Sequence, residues 1–426
     1  MIKLDFAKNK TYLVIGLGKS NRAVIKALKK VDADIRLWDD NPDLLTNYDD
    51  KMICPMEKAP WSKIKAVIVA PGIAPHHPYI ALAREKDIPV ICDIDLFSQS
   101  QPKSKIIGVT GTNGKSTVTA LIHHVLSAHG KSQMGGNIGT PVLDLKQNMD
   151  FTVLELSSYQ LEYAPHLKCD VAVLLNITPD HLDWHGDMDH YIASKGKIFD
   201  QAGVKIISID DAHSKSIFEA QTVATPISIY GDNVPVTQSD FPKLKGTHNF
   251  QNSLAAYYVC SSLGIAHDEI VSAIKTFEGL AHRQYLARIL NGISYINDSK
   301  ATNAEAARHA LRAYKNIFWI LGGVAKDGGL DGLDSDLENV QKVYLYGQSA
   351  TDFASYFKSR GIAFLTFDNL DEALLAAHAD AQDNRGEPSG APTVLLSPAC
   401  ASFDQFENFE TRGDYFCDLV EALESE

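Results

Sequence analysis

Short runs of β-branched and aromatic residues alternate with helical stretches along most of this chain. The first such runs are TYLVIG, ADIRLW and KAVIVAPG, and NRAVIKALKK follows the first of them as a helical stretch. This alternation is typical of a parallel sheet that carries helices on its faces. The chain has 426 residues, more than a single hydrophobic core usually serves. The sequence therefore predicts an α/β protein of more than one domain.

Two segments divide the alternation. SQSQPKSK, residues 98–105, is polar and contains a proline, which suits a linker. Gly279 follows two helical stretches, and beyond it the pair Asn291-Gly292 separates two strand-like runs, as is typical of a two-residue hairpin turn. We predict three α/β domains, over residues 1–97, 98–280 and 281–426.

Composition narrows the classes of function. Lys and Arg total 40 against 53 for Asp and Glu, a formal net charge of -13, which argues against a general binder of nucleic acid or of anionic membranes. The six cysteines form no C-x-x-C pair, so neither a zinc module nor a disulfide framework is indicated. The charged start MIKLDFAKNK is unlike a signal peptide, and no apolar run approaches the roughly 18 residues of a membrane span. We expect a cytoplasmic protein without a membrane span or a nucleic-acid partner.

A glycine-rich loop between a strand and a helix is the sharpest local motif. It reads GVTGTNGKST, residues 108–117, and the helix behind it has apolar residues at helical spacing. Backbone N–H groups of such a loop and the amino end of its helix can cradle phosphate, while Lys115 can neutralise charge and Ser116 can hold Mg²⁺. The strict phosphate-loop pattern is not met, because Val109 stands where its first glycine belongs. A plain tight turn is the alternative, and binding of ATP or GTP is the prediction.

A weaker loop lies nearer the amino terminus. Gly16-Leu-Gly18-Lys19-Ser20-Asn21 follows TYLVI, and Asp39 lies at the end of the next strand-like run. The pattern resembles a dinucleotide-binding fingerprint, but Asn21 replaces the third glycine, which packs helix against strand. Binding of NAD therefore stays an alternative to binding of another phosphorylated ligand and to a plain turn.

Side chains that can hold a metal follow two further strand-like runs. Glu155 lies near the end of FTVLEL, and the segment TPDHLDWHG follows DVAVLLNI. Ligands gather at the carboxyl ends of strands in open parallel sheets, and a carboxylate there can reach Mg²⁺ held by the phosphate loop. His181, Asp183 and His185 lack the spacing usual for zinc, which leaves zinc a minor alternative. Lys195, in the helix-like YIASKGKIF, would by itself be an ordinary surface lysine.

An ordered set of motifs adds a family resemblance. The motifs are GVTGTNGKST, GGNIGTP, LELSSYQLE, NITPDHLDWHG with a following Y-x-x-x-K, GTHNFQN, AHR, NDSKATN and SPACASFDQFENFETRG. In this order, over about residues 11–420, they resemble the Mur ligases of bacterial peptidoglycan synthesis. The resemblance implies an N-terminal Rossmann-like domain for a UDP substrate, a central P-loop ATPase-like domain with a parallel sheet, and a C-terminal Rossmann-like domain with amino-acid and ATP contacts.

The resemblance also implies a reaction. Within the family, NDSKATN and SPACASFDQF are similar to the members that add D-glutamate to UDP-N-acetylmuramoyl-L-alanine. ATP would phosphorylate the carboxylate of the UDP substrate, and the amine of D-glutamate would displace phosphate to form an amide. Cations are needed on both sides of the transfer, because an anionic carboxylate repels the γ-phosphate. The expected cofactors are ATP and Mg²⁺ at two sites, and we expect a monomer.

The family pattern assigns catalytic and metal roles. Lys115 would contact the phosphates, while Ser116 and Glu155 would hold one Mg²⁺. His181 would help to hold a second, and Lys195 matches the lysine that the family carries as a carbamate. A carbamate exchanges the positive charge of a free ammonium for an anionic oxygen of the kind that Mg²⁺ prefers.

The same resemblance assigns the other ligand contacts. For ATP the matching residues are Gly111, Thr112, Asn113, Gly114, Lys115, Ser116, Thr117, Asn249, His282, Arg283 and Asp298. For the UDP substrate they are Lys19, Ser20, Asp39, Pro71, Gly72, Asn137 and His181. For D-glutamate they are Lys300, Thr302, Lys326, Ser402 and Phe409.

Three positions depart from the family pattern. Asn41 and Trp184 stand where other members have arginine, and Pro179 stands where an acid is common. The departures concern the UDP contacts and the surroundings of the second metal. The alternatives are another amide ligase of the superfamily, either a different Mur ligase or a folylpolyglutamate synthase, an NAD-dependent oxidoreductase, and a nucleotide-controlled binding module without ligase chemistry.

Overall fold

A computed structural model describes residues 2–231, 234–240, 244, 246–326, 328–386 and 390–424. The chain divides into two compact units, Met1–Phe277 and Glu278–Glu426. Both are built from strands and helices in alternation, which confirms the α/β fold class. The boundary expected near residue 98 falls inside the first unit, and the three domain ranges stay a prediction. No helix within the described ranges is long and apolar enough to cross a membrane.

The amino-terminal sheet of the first unit is parallel throughout. Its strands are β1 (Thr11–Ile15), β2 (Asp34–Trp38), β3 (Ile64–Val69) and β4 (Val90–Ile91), and its helices are α1 (Lys19–Lys29), α2 (Pro42–Leu45), α3 (Pro78–Glu85) and α4 (Asp93–Gln99). The strand order is β2-β1-β3-β4. Because β1 lies between β2 and β3, the loops that follow these three strands meet at one edge of the sheet.

Helix α4 occupies part of the segment expected to be a linker. The helix runs to Gln99, so the linker prediction is wrong at its amino end. Its acidic first turn suits the positive end of a helix, and Asp95 accepts a 2.6 Å hydrogen bond from Nε2 of Gln99, four residues on. Leu96 and Phe97 are buried. These contacts extend the helix into a segment whose polar composition favoured a loop.

The central sheet also belongs to the first unit, and its strands are all parallel. The strands are β5 (Lys105–Thr110), β6 (Ser132–Gly136), β7 (Phe151–Glu155), β8 (Cys169–Leu174), β9 (Ala202–Ser208) and β10 (Thr225–Ile227). The helices are α5 (Lys115–Ser127), α6 (Ser158–Glu162), α7 (Leu182–His185), α8 (Met188–Gly196), α9 (Ala212–Glu219), α10 (Thr247–Ser262) and α11 (His267–Lys275). The order β10-β9-β8-β5-β7-β6 places β5 between β8 and β7. The loops after these three strands therefore share one edge.

A continuous hydrophobic core joins the two sheets of the first unit. It extends from Leu13 and Val67 of the amino-terminal sheet to Leu154 and Leu174 of the central sheet. Trp184 and Tyr163, which follow central strands, are part of the same cluster. The loops of the two sheets are thus held against each other by a shared core.

The second unit contains a sheet that is parallel apart from one hairpin. Its strands are β11 (Tyr285–Leu290), β12 (Ile293–Asn297), β13 (Ile317–Gly322), β14 (Val340–Tyr346), β15 (Phe364–Phe367) and β16 (Thr393–Leu396), and its helices are α12 (Ala304–Ala313), α13 (Ala350–Arg360), α14 (Leu370–Asp383) and α15 (Phe409–Glu421). The order is β11-β12-β16-β13-β14-β15. Asn291 and Gly292 have φ of +51° and +82°, as a tight hairpin turn requires, which confirms the hairpin prediction.

Candidate active site

The glycine-rich loop joins β5 to α5 at the carboxyl edge of the central sheet. Gly114, at the amino end of α5, has φ of +84°, and a Cβ there would lie 2.2 Å from Oδ1 of Asn252 on α10. The left-handed backbone and this close contact both favour glycine here. The first N–H groups of a helix have no helical partner, so this loop has the architecture of a phosphate cradle. Ser116 and Thr117 lie in the first turn of α5 and are each 5% exposed.

Lys115 lies folded against the loop. Its Nζ donates to the carbonyl oxygens of Gly111, at 2.9 Å, and Thr112, at 2.7 Å. The ammonium group is therefore held at the mouth of the cradle, where it can neutralise phosphate charge.

Asn176, two residues beyond the end of β8, holds the glycine-rich loop in place. Its Oδ1 accepts from the N–H of Asn113 at 2.8 Å, and its Nδ2 donates to the carbonyl of Asn113 at 3.1 Å. The N–H of Thr112 donates to the backbone oxygen of Asn176 at 2.8 Å. The sequence motifs gave Asn176 no role. The signal that could have found it is its position at the start of NITPDHL, two residues beyond a buried strand.

Lys195, on α8, is 2% exposed and therefore differs from an ordinary surface lysine. Its Nζ donates to the carbonyl of Gly111 at 2.8 Å and lies 4.6 Å from the centre of the Tyr191 ring. Burial, with a smaller contribution from the Lys115 ammonium, holds the pKa of Lys195 well below its ordinary value. Two lysines thus converge on one carbonyl of the phosphate loop.

Glu155, the last residue of β7, is 3% exposed. Its Oε1 accepts a 2.7 Å hydrogen bond from Nδ2 of Asn137, while its Oε2 is buried and has no hydrogen-bond partner among the described residues. A buried carboxylate oxygen without a partner is costly unless a cation or donor meets it. The free oxygen of Glu155 is therefore suited to meet a metal ion, while Asn137 orients the carboxylate.

His181 precedes α7 with a left-handed backbone, at φ of +56°. Its ring centre lies 5.0 Å from that of Tyr159, and its Nε2 lies 3.4 Å from the carboxylate of Asp180. Burial lowers the pKa of His181, assisted by the Lys115 and Lys195 ammonium groups and opposed by Asp180. A neutral imidazole keeps a lone pair that can bind a metal.

The zinc alternative finds no support in the geometry. His185 is buried, and its Nε2 lies 2.9 Å from Oγ of Ser158, so this nitrogen already has a hydrogen-bond partner. In the part of the chain that the structure describes, no group of three His, Cys, Asp or Glu side chains is arranged to hold a metal ion. The magnesium ligands expected from the family pattern include a hydroxyl and a modified lysine. They therefore differ from a group of three His, Cys, Asp or Glu side chains.

The glycine loop after β1 is organised by two polar side chains. Asn21 donates from Nδ2 to the carbonyls of Ile15, at 3.0 Å, and Gly16, at 2.8 Å. Asp39 accepts from the N–H of Leu17 at 2.6 Å and from the N–H of Asn41 at 2.8 Å. Asn21 thus ties strand to helix where a dinucleotide-binding fingerprint has glycine.

The UDP-contact residues expected from the sequence bridge the two sheets of the first unit. Nζ of Lys19 donates to the carbonyl of Gly139 at 2.8 Å, within the GGNIG segment that carries Asn137. The carbonyl of Gly72 accepts from Nε1 of Trp184 at 3.1 Å. Ser20 lies in α1 beside Lys19, and Pro71 precedes Gly72 in the turn after β3.

The ATP residues expected in the second unit gather where β12 ends. Asp298 is buried, and it accepts from Oγ of Ser397 at 2.7 Å and from the N–H of Gln284 at 3.1 Å. Burial raises the pKa of Asp298 to about 7, against a lowering contribution from Arg283. His282 has φ of +61°, and its Nδ1 lies 3.1 Å from Nδ2 of Asn297. The remaining ATP residue, Asn249, belongs to α10 in the first unit.

The D-glutamate residues expected from the sequence all lie in the second unit. Nζ of Lys300 is 5.4 Å from the centre of the Phe409 ring, and the N–H of Thr302 donates to the carbonyl of Lys300 at 2.9 Å. Val324 and Ala401 pair as a bridge, which joins the loops that carry exposed Lys326 and buried Ser402. These loops follow β13 and β16, which are neighbours in the sheet. The chain leaves the two strands toward opposite sides of the sheet, and ligands usually bind in the crevice at such a point.

Comparison with protein families defines the class of this site. The model described as Mur ligase middle domain matches residues 109–260, and the model described as Mur ligase MurD-like, N-terminal domain, matches residues 10–92. The matches cover both sheets of the first unit, including the phosphate loop. The fold and these matches are those of an ATP-dependent, amide-forming Mur ligase.

Curated relatives narrow the class. A UDP-N-acetylmuramoylalanine--D-glutamate ligase of Rhodospirillum rubrum is 42% identical over 96% of this chain and 94% of its own. Proteins of that name from Brucella abortus strain 2308 and Paramagnetospirillum magneticum are each 40% identical, over 99% and 100% of this chain and 98% and 99% of theirs. The chain belongs to the Mur ligase family, in the branch of the UDP-N-acetylmuramoylalanine--D-glutamate ligases.

Solved structures share the fold at low identity. UDP-N-acetylmuramate-alanine ligase MurC of Thermotoga maritima aligns with a TM-score of 0.59 at 18% identity, over 97% of this chain and 99% of that one. MurF ligase of Thermotoga maritima in complex with ADP aligns with a TM-score of 0.56 at 15% identity, over 99% and 96%. The family resemblance inferred from the motifs is confirmed, and the NAD-dependent oxidoreductase gains no support.

Proposed function

We propose that this protein joins D-glutamate to UDP-N-acetylmuramoyl-L-alanine at the expense of ATP, in the cytoplasmic synthesis of peptidoglycan precursors. The γ-phosphoryl group passes to the carboxylate of the alanyl residue, and ADP leaves. The amine of D-glutamate then attacks the acyl phosphate, releasing a proton and phosphate as the amide forms. Family membership supports the class of reaction, and the names of the relatives support the choice of substrates.

One arrangement carries the proposal. The phosphate loop, the buried Glu155 with its unpartnered oxygen, and the buried Lys195 all lie at the carboxyl edge of the central sheet. Phosphoryl transfer to a carboxylate needs positive charge on both reacting anions, and anionic ligands must hold the metal that supplies it. This edge carries the ammonium group of Lys115, the carboxylate of Glu155 with its unpartnered oxygen, and Lys195, whose lowered pKa favours the neutral amine.

The donor set fits magnesium. Ser116 and Glu155 would hold one ion, and His181 with a carbamylated Lys195 would hold the second; bound Mg²⁺ would screen the phosphate charge. Carbamylation requires a neutral amine, which attacks CO₂ and releases a proton. The lowered pKa of Lys195 favours that neutral amine, and its burial leaves a free ammonium poorly solvated. A free ammonium at Lys195 would repel Mg²⁺, whereas a carbamate oxygen at the same place would bind it.

The remaining assignments are part of the same proposal. Lys19, Ser20, Asp39, Pro71, Gly72 and Asn137 would bind the UDP substrate, Asn249, His282, Arg283 and Asp298 would bind ATP, and Lys300, Thr302, Lys326, Ser402 and Phe409 would bind D-glutamate. Lysines and hydroxyls suit an amino acid with two carboxylates. We also propose a monomer with three domains, divided near residues 98 and 280.

Measurement of phosphate release tests the proposal. The purified protein should release phosphate only when ATP, Mg²⁺, UDP-N-acetylmuramoyl-L-alanine and D-glutamate are all present, with one phosphate for each amide. Omission of any one component serves as the control. Turnover equally fast with L-glutamate or meso-diaminopimelate would contradict the substrate assignment while leaving the ligase class intact.

A further inference from the structure

Two aromatic side chains of the central sheet bind the turn that follows β3 in the amino-terminal sheet. Nε1 of Trp184 donates to the carbonyl of Gly72 at 3.1 Å, and the hydroxyl of Tyr163 donates to the carbonyl of Ile73 at 3.0 Å. The ring centres of Trp184 and Tyr163 are 6.0 Å apart, edge to face. Two adjacent backbone carbonyls of one sheet are thus held by neighbouring donors from the other.

The turn held by these donors also contacts the glycine loop after β1. The N–H of Ile73 donates to the carbonyl of Ala70 at 2.9 Å, which closes the turn. A Cβ added at Gly16 would lie 2.9 Å from Cβ of Ala70 and 3.4 Å from the Ile73 side chain. The turn therefore lies between the glycine loop on one side and the aromatic pair on the other, and movement of the turn would disturb the glycine loop.

The indole of Trp184 is also connected to His181. Tyr159 packs between them, with its ring centre 4.5 Å from that of Trp184 and 5.0 Å from that of His181. The ring of His185 contacts Trp184 from another side, with centres 4.5 Å apart. Trp184 is 8% exposed, so its position is fixed by packing as well as by its hydrogen bond.

We propose that Trp184 is a positioning residue that sets the distance between the two halves of the UDP-substrate site. Through its hydrogen bond to Gly72, Trp184 holds the turn beside the glycine loop after β1. Through Tyr159 it is packed against His181, at the reacting end of the proposed substrate site. This inference rests on the proposed function, because it takes both ends to bind one UDP-linked substrate. The indole of Trp184 is uncharged and binds a backbone carbonyl. Its effect on the UDP substrate therefore comes only from where it places the turn.

Loss of the indole N–H should weaken binding of the UDP substrate without weakening binding of ATP. Loss of the indole donor leaves the Gly72 carbonyl without its partner and loosens the turn, while the phosphate loop keeps its own contacts through Asn176. Affinity for the UDP substrate should therefore fall, whereas affinity for ATP should not. A substitution that merely destabilised the first unit would weaken both.

The test uses Trp184→Phe, which keeps an aromatic ring and removes the N–H donor. We expect the KM for UDP-N-acetylmuramoyl-L-alanine to rise about fivefold to tenfold, with kcat and the KM for ATP within about twofold of wild type. Trp61→Phe is the matched control, because Nε1 of Trp61 donates to the carbonyl of Met56 at 3.2 Å inside the amino-terminal sheet region and makes no bond to the turn. It should leave all three constants unchanged.

Tyr163→Phe provides a second variant if Trp184→Phe does not fold. It removes the hydroxyl that donates to Ile73 and should raise the same KM alone. An unchanged KM for the UDP substrate in the folded variants, or an equal rise in the KM for ATP, would overturn the role of Trp184 while wild-type ligation stands. A wild-type protein that makes no amide from these substrates would overturn the proposed function and this inference with it.

Discussion

Nζ of Lys195 lies 2.8 Å from the carbonyl oxygen of Gly111, so a buried lysine from α8 is fastened to the phosphate loop. Lys115 donates to the same carbonyl at 2.9 Å. Two ammonium groups sharing one acceptor repel each other, and the group with less access to solvent is the one whose charge costs more. The arrangement therefore favours the neutral amine at Lys195, which is the form that the proposed carbamylation requires.

Replacement of Lys195 tests this assignment. Lys195→Ala should lower kcat for ligation by about 100-fold or more while leaving the fold intact, because an anionic metal ligand is lost. Lys197→Ala is the control, since Lys197 is partly exposed and pairs with Glu162 at 2.7 Å. ¹³C NMR after exchange with ¹³C-bicarbonate should show a carbamate signal in wild type and in Lys197→Ala. Full activity of Lys195→Ala would remove the carbamate from the account.

Gly114→Ala should abolish productive ATP binding. The new Cβ would lie 2.2 Å from Oδ1 of Asn252, and misplacement of the loop by about 1 Å can cost about 100-fold in rate. Gly264→Ala controls for backbone strain, because Gly264 has φ of +88° and open space around a Cβ. It should lower stability by about 1 kcal/mol and leave the KM for ATP unchanged. The KM for ATP is the quantity to measure, and equal values in both variants would contradict the role of the loop.

Glu155→Gln should raise the Mg²⁺ concentration needed for half-maximal activity. The substitution keeps the shape of the side chain and removes the charge of an oxygen that has no hydrogen-bond partner among the described residues. A rise of about 10-fold to 100-fold is expected from magnesium titrations of the rate. Glu85→Gln, at the exposed end of α3, should titrate like wild type. A Mg²⁺ dependence unchanged in Glu155→Gln would place the metal elsewhere.

Asp298 should make the second unit less stable as the pH rises. Burial raises its pKa to about 7 from an ordinary value near 3.8, so between these values the folded state binds more protons than the unfolded state. The contribution of Asp298 to the free energy of unfolding is fully present below about pH 4 and is lost as the pH rises through 7. Asp298→Asn removes the effect, so the melting temperature of the variant minus that of wild type should increase from pH 5 to pH 8. A difference that is constant across this range would show that Asp298 does not titrate there.

Much of the fold could be predicted because local pattern and tertiary structure agree. The apolar spacing behind Lys115 predicted α5, and Asn291-Gly292 predicted the hairpin of β11 and β12. Strand β6, with the sequence SQMGG, was missed because it lacks β-branched residues and is held by pairing with β7 at the edge of the sheet.

The site could be predicted in part for a related reason. Motifs identify which residues belong to a family site, but partners distant in sequence are visible only in the fold. The bond of Trp184 to Gly72 spans 112 positions, and the sequence showed Trp184 only as a departure from arginine. Asn176 was missed because its hydrogen bonds to Asn113 depend on the order of β5 and β8 in the sheet.

The transfer of oxygen from substrate to phosphate tests the central claim most directly. UDP-N-acetylmuramoyl-L-alanine with both carboxylate oxygens labelled with ¹⁸O should be incubated with the protein, ATP, Mg²⁺ and D-glutamate, and the released phosphate analysed by mass spectrometry. If an acyl phosphate forms, one labelled oxygen passes into each phosphate and the other stays in the amide. Amide formation accompanied by unlabelled phosphate would contradict phosphoryl transfer to the carboxylate.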